Sequence, residues 1–328
     1  MAGYFSMEKQ KSKVTHFQEG GVLLALILLF ILFSFLSPYF LNVNNCINIV
    51  RQISLLGIIS MGMTMVIACG EIDLSVGSVY GACAILCGLM MTNGFGIGVS
   101  VFISLLIGIF FGFLNGFLVT YGKIPAMIVT LGMMNVARGF ALIISNGRII
   151  NISSRTVTSP YLNSFMFFGQ GRLLNIPVMT VVFLGITLIS IFIFHKSLFG
   201  FHMKAVGGNA GAARASGIKD KWVKILAFTL TGLFSAIAGI LNISFLSNVQ
   251  GTSGQGMEMN AIAAVIIGGT SLSGGEGSIL GTLIGIFIIG VLNNGIVLLG
   301  ISPFWQTLII GLVIIVAVAA DKWLKKGK

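Results

Sequence analysis

Long apolar segments, separated by short polar ones, dominate the pattern along the chain. Ten of them approach the roughly 17 to 25 residues that a helix needs to cross a bilayer core of about 30 Å. The third and eighth are short, as broken or re-entrant segments would be. The pattern therefore predicts an all-α, polytopic membrane protein. The ten predicted spans are Gly21–Tyr39, Ile53–Gly70, Val76–Met91, Gly96–Tyr121, Ile124–Ser145, Ile176–His195, Val223–Phe245, Met259–Thr270, Ile279–Leu299 and Phe304–Ala320.

The composition agrees with this fold class. Of 328 residues, 56% are hydrophobic and only 8% are charged, and a soluble domain of this length could not bury so much apolar surface. Residues 1–19 are polar and the first apolar segment is long enough to remain a helix, so we expect no cleavable signal. Four cysteines are expected to be small buried hydrophobes, and no metal site is expected, because none of them has zinc-ligand spacing near a histidine.

The distribution of basic residues predicts the topology. The net charge is +11, but the lysines and arginines are split among short loops, which argues against nucleic-acid binding. With the N-terminus inside, fourteen fall in inner segments and four in outer ones, and both termini are then cytoplasmic. We therefore predict a cytoplasmic segment at 1–20, a transmembrane domain at 21–321 and a cytoplasmic basic tail at 322–328. The four outer residues are Arg51, Arg148, Arg155 and Arg172.

The inner segment from Lys196 to Lys224 is the most unusual loop of the chain. It holds six Lys or Arg residues and a single acid, Asp220. Its middle, Ala205–Ile218, is rich in Gly and Ala. Such a basic, small-residue segment on one side of a membrane protein predicts a surface for a partner. The long outer segment at 146–175 is expected to lie along the membrane surface, because it carries the aromatic residues Tyr161, Phe165, Phe167 and Phe168.

Two similar segments join apolar spans at the inner side: CGEIDLSVGS, Cys69–Ser78, and GGTSLSGGEGS, Gly268–Ser278. Transporters often break helices at corresponding positions of two halves, and these two breaks have the same orientation. In the first, Glu71 and Asp73 have two interpretations, since carboxylates at a membrane are costly. They form a gate for a solute, or Asp73 or Ser75 caps the next helix; we favour capping. The chain lacks a GxxxxGK[ST] phosphate loop, so no ATP site is expected.

Small residues recur every four positions along the fourth span. Such a ridge lets another helix approach closely, and the same idea repeats at Gly277, Gly281 and Gly285. We interpret the ridge as a packing surface, with a solute path as the weaker alternative. The ridge consists of Ser100, Ser104, Gly108, Gly112, Gly116 and Thr120.

Neutral amides and one arginine at membrane depth complete the candidates for a translocation pathway. Amides both donate and accept hydrogen bonds, so they can meet the hydroxyls of a neutral solute or simply link helices. Arg138 can snorkel outward, pair with a backbone carbonyl or contact solute. The pathway or gate candidates are Glu71, Asp73, Ser75, Asn115, Asn135, Arg138, Asn242, Asn293 and Asn294.

Four segments in order resemble one family over nearly the whole chain, from about Leu36 to Asp321. They are GMTMVIACGEIDLSVGS, AVGGNAGAARASGI, AIAAVIIGGTSLSGGEGSILGTLIG and GVLNNGIVLLGI. They are similar to permease subunits of bacterial ribose-type sugar ABC importers, a family that also includes xylose and autoinducer-2 permeases.

That resemblance implies a ten-helix, non-catalytic permease of the bacterial inner membrane that pairs with a second permease. It implies two cytoplasmic ATPase subunits, which use the ATP and Mg, and an extracytoplasmic sugar-binding protein; no cofactor is implied for this chain. The implied ATPase-coupling residues are Gly207, Gly208, Asn209, Ala212, Ala213, Arg214, Gly217 and Ile218. Asn209 would cap a short helix here, and Arg214 would bond to an acidic partner surface.

Two other classes of membrane protein are also compatible with the sequence. A stand-alone secondary transporter or channel would need no ATPase, but its coupling normally uses midplane ionisable residues, which are scarce here. A membrane enzyme acting on lipid-linked sugars would need convergent acids or a metal site. Glu71 and Glu276 depart from the residues expected in the ribose permease, so the solute itself is left open.

Overall fold

The computed structural model describes residues 20–302 and 304–326, and the architecture below is that of these residues. It is almost entirely helical, with four strands of two residues each. The helices are α1 (20–36), α2 (Val43–Ala68), α3 (Val76–Thr92), α4 (Ile97–Thr120), α5 (Ala126–Ser145), α6 (Leu162–Gln170), α7 (Val178–Ile191, continued by a π-helical turn, Phe192–Lys196), α8 (Leu198–Gly208), α9 (Ala210–Ala215), α10 (Asp220–Leu246), α11 (Met257–Ile267), α12 (Ile279–Leu298) and α13 (Phe304–Lys326).

Each of the ten predicted spans corresponds to one of these helices, which confirms the fold class. Six are long and apolar enough to cross a membrane by length and composition, and four shorter apolar helices accompany them. The spans predicted to be short are α3, of 17 residues, and α11, of 11 residues. The predicted N-terminal segment, apart from its last residue, and the final two residues of the predicted tail lie outside the described residues.

One boundary was predicted wrongly. Helix α2 begins at Val43, ten residues before the predicted start, because its first turns are polar and a hydropathy pattern does not reveal them. The side chain of Asn42 caps this start by accepting a hydrogen bond from the N–H of Asn44 at 2.9 Å. Arg51, predicted to lie in an outer loop, is therefore inside the helix, with its guanidinium carbon 5.1 Å from the ring centroid of Phe245.

Helix α2 forms the centre of the bundle, and α7, α10, α11 and α12 pack around it. Every residue from Leu56 to Ala68 is buried. The most extensive helix contact joins α4 to α10, along the predicted ridge of small residues. A Cβ added at Gly112 would overlap the carbonyl oxygen of Phe228 and lie 3.0 Å from the Cα of Thr229. The packing interpretation of the ridge is confirmed.

The end of α10 is tied to the long segment that precedes α7. Strand β1 (Ile150–Asn151) pairs antiparallel with β4 (Asn248–Val249), and β2 (Arg172–Leu173) pairs with β3 (Ile176–Pro177). Helix α6 packs on α10 at Gly169, whose N–H donates to Ser244 Oγ at 2.9 Å. These contacts close the end of the bundle opposite α8 and α9. Of the four predicted surface aromatics, Phe165 is buried, and Tyr161, Phe167 and Phe168 are exposed.

Candidate functional site at the helix breaks and the α8–α9 loop

The basic loop folds into two short helices with defined ends. Asn209 caps α9 as predicted, because its side-chain oxygen accepts the N–H of Ala212 at 3.0 Å. The helix ends at Ala215, and Gly217 follows the C-cap residue with a φ of +84°, which favours glycine. The N–H of Ile218 then returns to the carbonyl of Ala213 at 3.0 Å. Capping at both ends holds a six-residue helix that would be too short to persist in isolation.

The end of α8 lies directly on both breaks between apolar helices. A Cβ at Gly207 would overlap the carbonyl oxygen of Ala68 and approach the nitrogen of Gly275 to 2.6 Å. The two breaks bond to each other, since the N–H of Gly275 donates to Ala68 O at 2.9 Å. At Gly274, where φ is +77°, a Cβ would lie 2.8 Å from Gly207 O. Backbones meet here without intervening side chains.

We call this contact the glycine junction; its members are Gly70, Gly207, Gly208, Gly274 and Gly275. The sequence predicted the two breaks and the loop separately, whereas the tertiary structure brings them together. A Cβ at Gly207, Gly274 or Gly275 would lie within 3.0 Å of neighbouring backbone, so the junction joins the loop to both breaks by direct backbone contact.

The outward face of α9 consists of small residues and one arginine. Ala213 turns inward and is buried, whereas Gly211, Ala212 and Arg214 are exposed. Arg214 forms a forked pair with Asp220, with Nη2–Oδ2 at 2.8 Å and Nε–Oδ1 at 3.3 Å. The hydrogen bond to this carboxylate raises the pKa of Arg214, so its guanidinium stays charged. The orientation of the Arg214 guanidinium is therefore set by Asp220 of the same chain.

Glu71 pairs with Lys224, with Oε1 and Nζ 2.5 Å apart and both side chains largely buried. The pair joins the first break to the first turn of α10. Lys224 is the last basic residue of the predicted inner segment, and Glu71 was a gate candidate. The structure gives both a partner within the chain.

Asp73, Ser75 and Asn115 form one buried cluster where α3 begins. Asp73 Oδ1 accepts the N–H of Ser75 at 2.9 Å and its hydroxyl at 2.6 Å. Asn115 Nδ2, from α4, donates to Ser75 Oγ at 2.8 Å. Ser75 occupies the N-cap position of α3, and no side chain caps the helix there. Asp73 instead forms a turn with Ser75 immediately before the helix, so neither residue has the favoured capping role.

Some of the other pathway candidates bond to a neighbouring segment, and others make no such bond among the described residues. Arg138 Nη1 donates to the carbonyls of Gly251 at 2.7 Å and Ser253 at 2.8 Å, which is the backbone pairing predicted as one alternative. Asn294 exchanges two amide hydrogen bonds with Asn45, at 2.9 and 3.0 Å, and links α12 to α2. Asn242 is buried in α10. Asn135 bonds only to its own helix, at Leu131 O, and is exposed on α5.

Asn293 lies in a small cavity together with Gln52 and Asn260, which sequence reasoning missed. Gln52 was hidden because the polar start of α2 was assigned to a loop. Asn260 lay inside a predicted span and carried no spacing signal. Glu258, also missed, is buried in the first turn of α11, and its Oε1 accepts the N–H of Gly256 at 3.1 Å.

Comparison with known proteins gives the following similarities. A family described as branched-chain amino acid transport system / permease component matches residues 45–318. The ribose import permease protein RbsC of Bacillus subtilis is 44% identical over 305 residues, which cover 93% of both chains. That of Escherichia coli K12 is 39% identical over 92% of this chain and 93% of the relative. The autoinducer 2 import system permease protein LsrC of Yersinia enterocolitica is 33% identical over 93% of this chain and 82% of the relative.

Proposed function

This chain belongs to the family of transport-system permease components, and from that premise we propose that it forms the membrane pathway of an ABC importer for ribose or a similar monosaccharide. Two relatives that cover more than nine-tenths of the chain are named ribose import permeases, at 44% and 39% identity. The autoinducer 2 permease is less similar, at 33%. A separate ATPase supplies the energy, and a binding protein delivers the sugar from outside.

The glycine junction carries this proposal. An ATPase that docks on the exposed face of α9 moves α8 with it, because one residue, Asn209, ends α8 and begins α9. Gly207 then displaces the backbone of Ala68 and Gly275, which belong to different breaks. One movement therefore reaches both halves of the bundle. Packed backbones of this kind shift between discrete arrangements instead of deforming continuously.

The contact with a second copy of the chain lies along α5. This helix leaves Gly132, Asn135 and Gly139 on an uncovered strip, and a Cβ at either glycine would meet no atom within 4 Å. An exposed amide at membrane depth is unfavourable against lipid, whereas it is favourable against water or protein. The strip therefore faces a second permease.

Three substitutions test the coupling route in the assembled transporter. Gly207→Ala forces the junction apart, and we expect ribose uptake to fall at least tenfold while the ATPase still copurifies. Gly208→Trp places a bulky group on an exposed position, and Arg214→Glu reverses the charge of α9; both should weaken ATPase copurification. Gly185→Ala in α7 is the control, since its Cβ would meet no atom within 4 Å. Normal uptake and normal copurification in all three variants would contradict the proposal.

Reconstitution separates an ABC importer from a secondary transporter or channel. In proteoliposomes we expect accumulation of labelled ribose only when the ATPase, ATP and the sugar-binding protein are all present. The permease alone lacks a phosphate loop and so has no means to hydrolyse ATP. Accumulation by the permease alone would establish the alternative.

A further inference from the structure

A polar cavity of about 150 Å³ lies between α2, α11 and α12. Three carboxamide side chains, from Gln52, Asn260 and Asn293, meet there. The volume corresponds to about five waters at liquid density and is well below the roughly 300 to 1,000 Å³ of sites for drug-sized ligands. A single small polar molecule fits these limits. The remaining lining residues are Ile53, Leu56, Met257 and Gly290.

One residue that lines the cavity, Asn260, also carries a buried hydrogen-bond acceptor. Asn260 Oδ1 is buried and accepts no hydrogen bond from the described residues. Leaving such a group unpaired costs about 1–3 kcal/mol. Gln306 holds the neighbouring backbone, since its Nε2 donates to Asn293 O at 3.2 Å.

A row of amides leads from the start of α2 to the cavity. Asn44, Asn48 and Gln52 are four residues apart, so they share one face of the helix, and all three are exposed. Eight residues of helix span about 12 Å. A polar face of this length is costly against lipid, and water or protein is its favoured neighbour.

We propose that the cavity and the amide row of α2 form a solute subsite for a neutral, hydroxyl-rich molecule such as a monosaccharide. The inference rests on the proposed function and names where in this chain the solute binds. Carboxamides donate and accept hydrogen bonds, as hydroxyl groups require. None of the seven lining residues is charged. The carboxylate and ammonium groups of an amino acid would therefore lack ionic partners at this site.

The first experiment measures uptake of labelled ribose by the assembled transporter. In Asn260→Leu and Asn293→Leu, side chains of similar size lose their hydrogen bonds, and we expect uptake to fall at least tenfold. The matched control is Asn93→Leu at the end of α3, where the exposed amide bonds only to Leu89 O of its own helix. Uptake within twofold of wild type in both cavity variants, with the complex recovered in normal amount, would overturn the inference.

The second experiment does not depend on the identity of the solute. Single cysteines replace Asn48, Gln52 or Asn260 in a chain whose four native cysteines are alanine, and a membrane-impermeant thiol reagent is added outside. We expect all three to be modified, because the row and cavity are filled with water when solute is absent. Ala263→Cys, one turn further along α11 and fully buried, should stay unmodified.

The two experiments separate failure of the inference from failure of the proposed function. Modification at the three positions without ribose uptake by the wild type supports a hydrated subsite and contradicts ribose as the solute. Normal ribose uptake with no modification above the Ala263→Cys level contradicts the subsite and leaves the proposed function standing.

Discussion

Most buried serines and threonines bond to a carbonyl of their own helix, as Ser60 does to Leu56 O, whereas two polar groups link different segments of the fold. Asp73, Ser75 and Asn115 bond to one another, as do Glu71 and Lys224. Such links stabilise a membrane protein because hydrocarbon offers no competing hydrogen bonds. Substitutions that change only charge or only hydrogen bonding show whether such a side chain stabilises the fold or acts in transport.

Asp73 provides the first such prediction. Asp73→Asn keeps an oxygen that can accept both hydrogen bonds from Ser75, so we expect nearly wild-type stability and uptake. Asp73→Ala loses both bonds and should cost about 1–2 kcal/mol. Thermal unfolding and uptake of the two variants check this. Abolished uptake in a stable Asp73→Asn protein would show instead that the negative charge acts in transport.

The Glu71–Lys224 pair provides a second prediction about charge. Glu71→Gln or Lys224→Met leaves one largely buried charge without its partner, and we expect each to cost about 1–3 kcal/mol. The double variant removes both charges and should recover most of that loss. Unfolding midpoints of the four proteins complete the cycle. Losses that simply add in the double variant would mean that the pair contributes no coupling energy.

At the scale of elements, small residues decide which helices touch. The α4–α10 contact depends on glycines that face backbone, and the glycine junction uses the same kind of contact between the end of α8 and the two breaks. Because lipid gives helices no hydrophobic reason to associate, close packing is the principal attraction available. Adding one methyl group to such a contact therefore lowers the stability of the fold substantially.

A matched pair on α4 tests this. Gly112→Ala places a Cβ against the carbonyl of Phe228, and we expect a loss of about 1–3 kcal/mol. Gly98→Ala, whose Cβ would meet no atom within 4 Å, should be neutral or slightly stabilising, since alanine favours helix. Unfolding in detergent compares them. Equal stability of both variants would contradict the close packing of α4 on α10.

At the scale of the molecule, the described residues form one bundle with two different ends. One end carries α8, α9 and both breaks; the other carries α6 and the β1–β4 pair. This separation lets an ATPase and a binding protein act from opposite sides. Helix α5 lies on the side of the bundle, where no other described residue covers its strip of Gly132, Asn135 and Gly139.

Cross-linking tests the proposed pairing along α5. In the cysteine-free chain, Asn135→Cys should give a species of twice the mass with a short bifunctional thiol reagent in membranes. Leu184→Cys on α7, also exposed, should not, because the proposed pair leaves that helix outside the contact. The masses are compared on denaturing gels. Cross-linking through Leu184→Cys alone would show that the second copy packs on α7 and would contradict pairing along α5.

The sequence by itself determined the class of the protein, the ten spans and the position of the two breaks. Hydropathy and glycine spacing are local properties, and they predict helices from neighbours along the chain. The short capped helix at Asn209 was likewise predicted from local residues. The early start of α2 was missed because its polar first turns look like a loop.

Only the tertiary structure decided which of the candidate residues meet. It joined Gly207 to both breaks, paired Glu71 with Lys224, committed Arg138 to carbonyls, and brought Gln52 and Asn260 beside Asn293. These contacts connect residues up to 241 positions apart in the sequence. They depend on how helices pack in three dimensions, which the periodicity of any one segment does not encode.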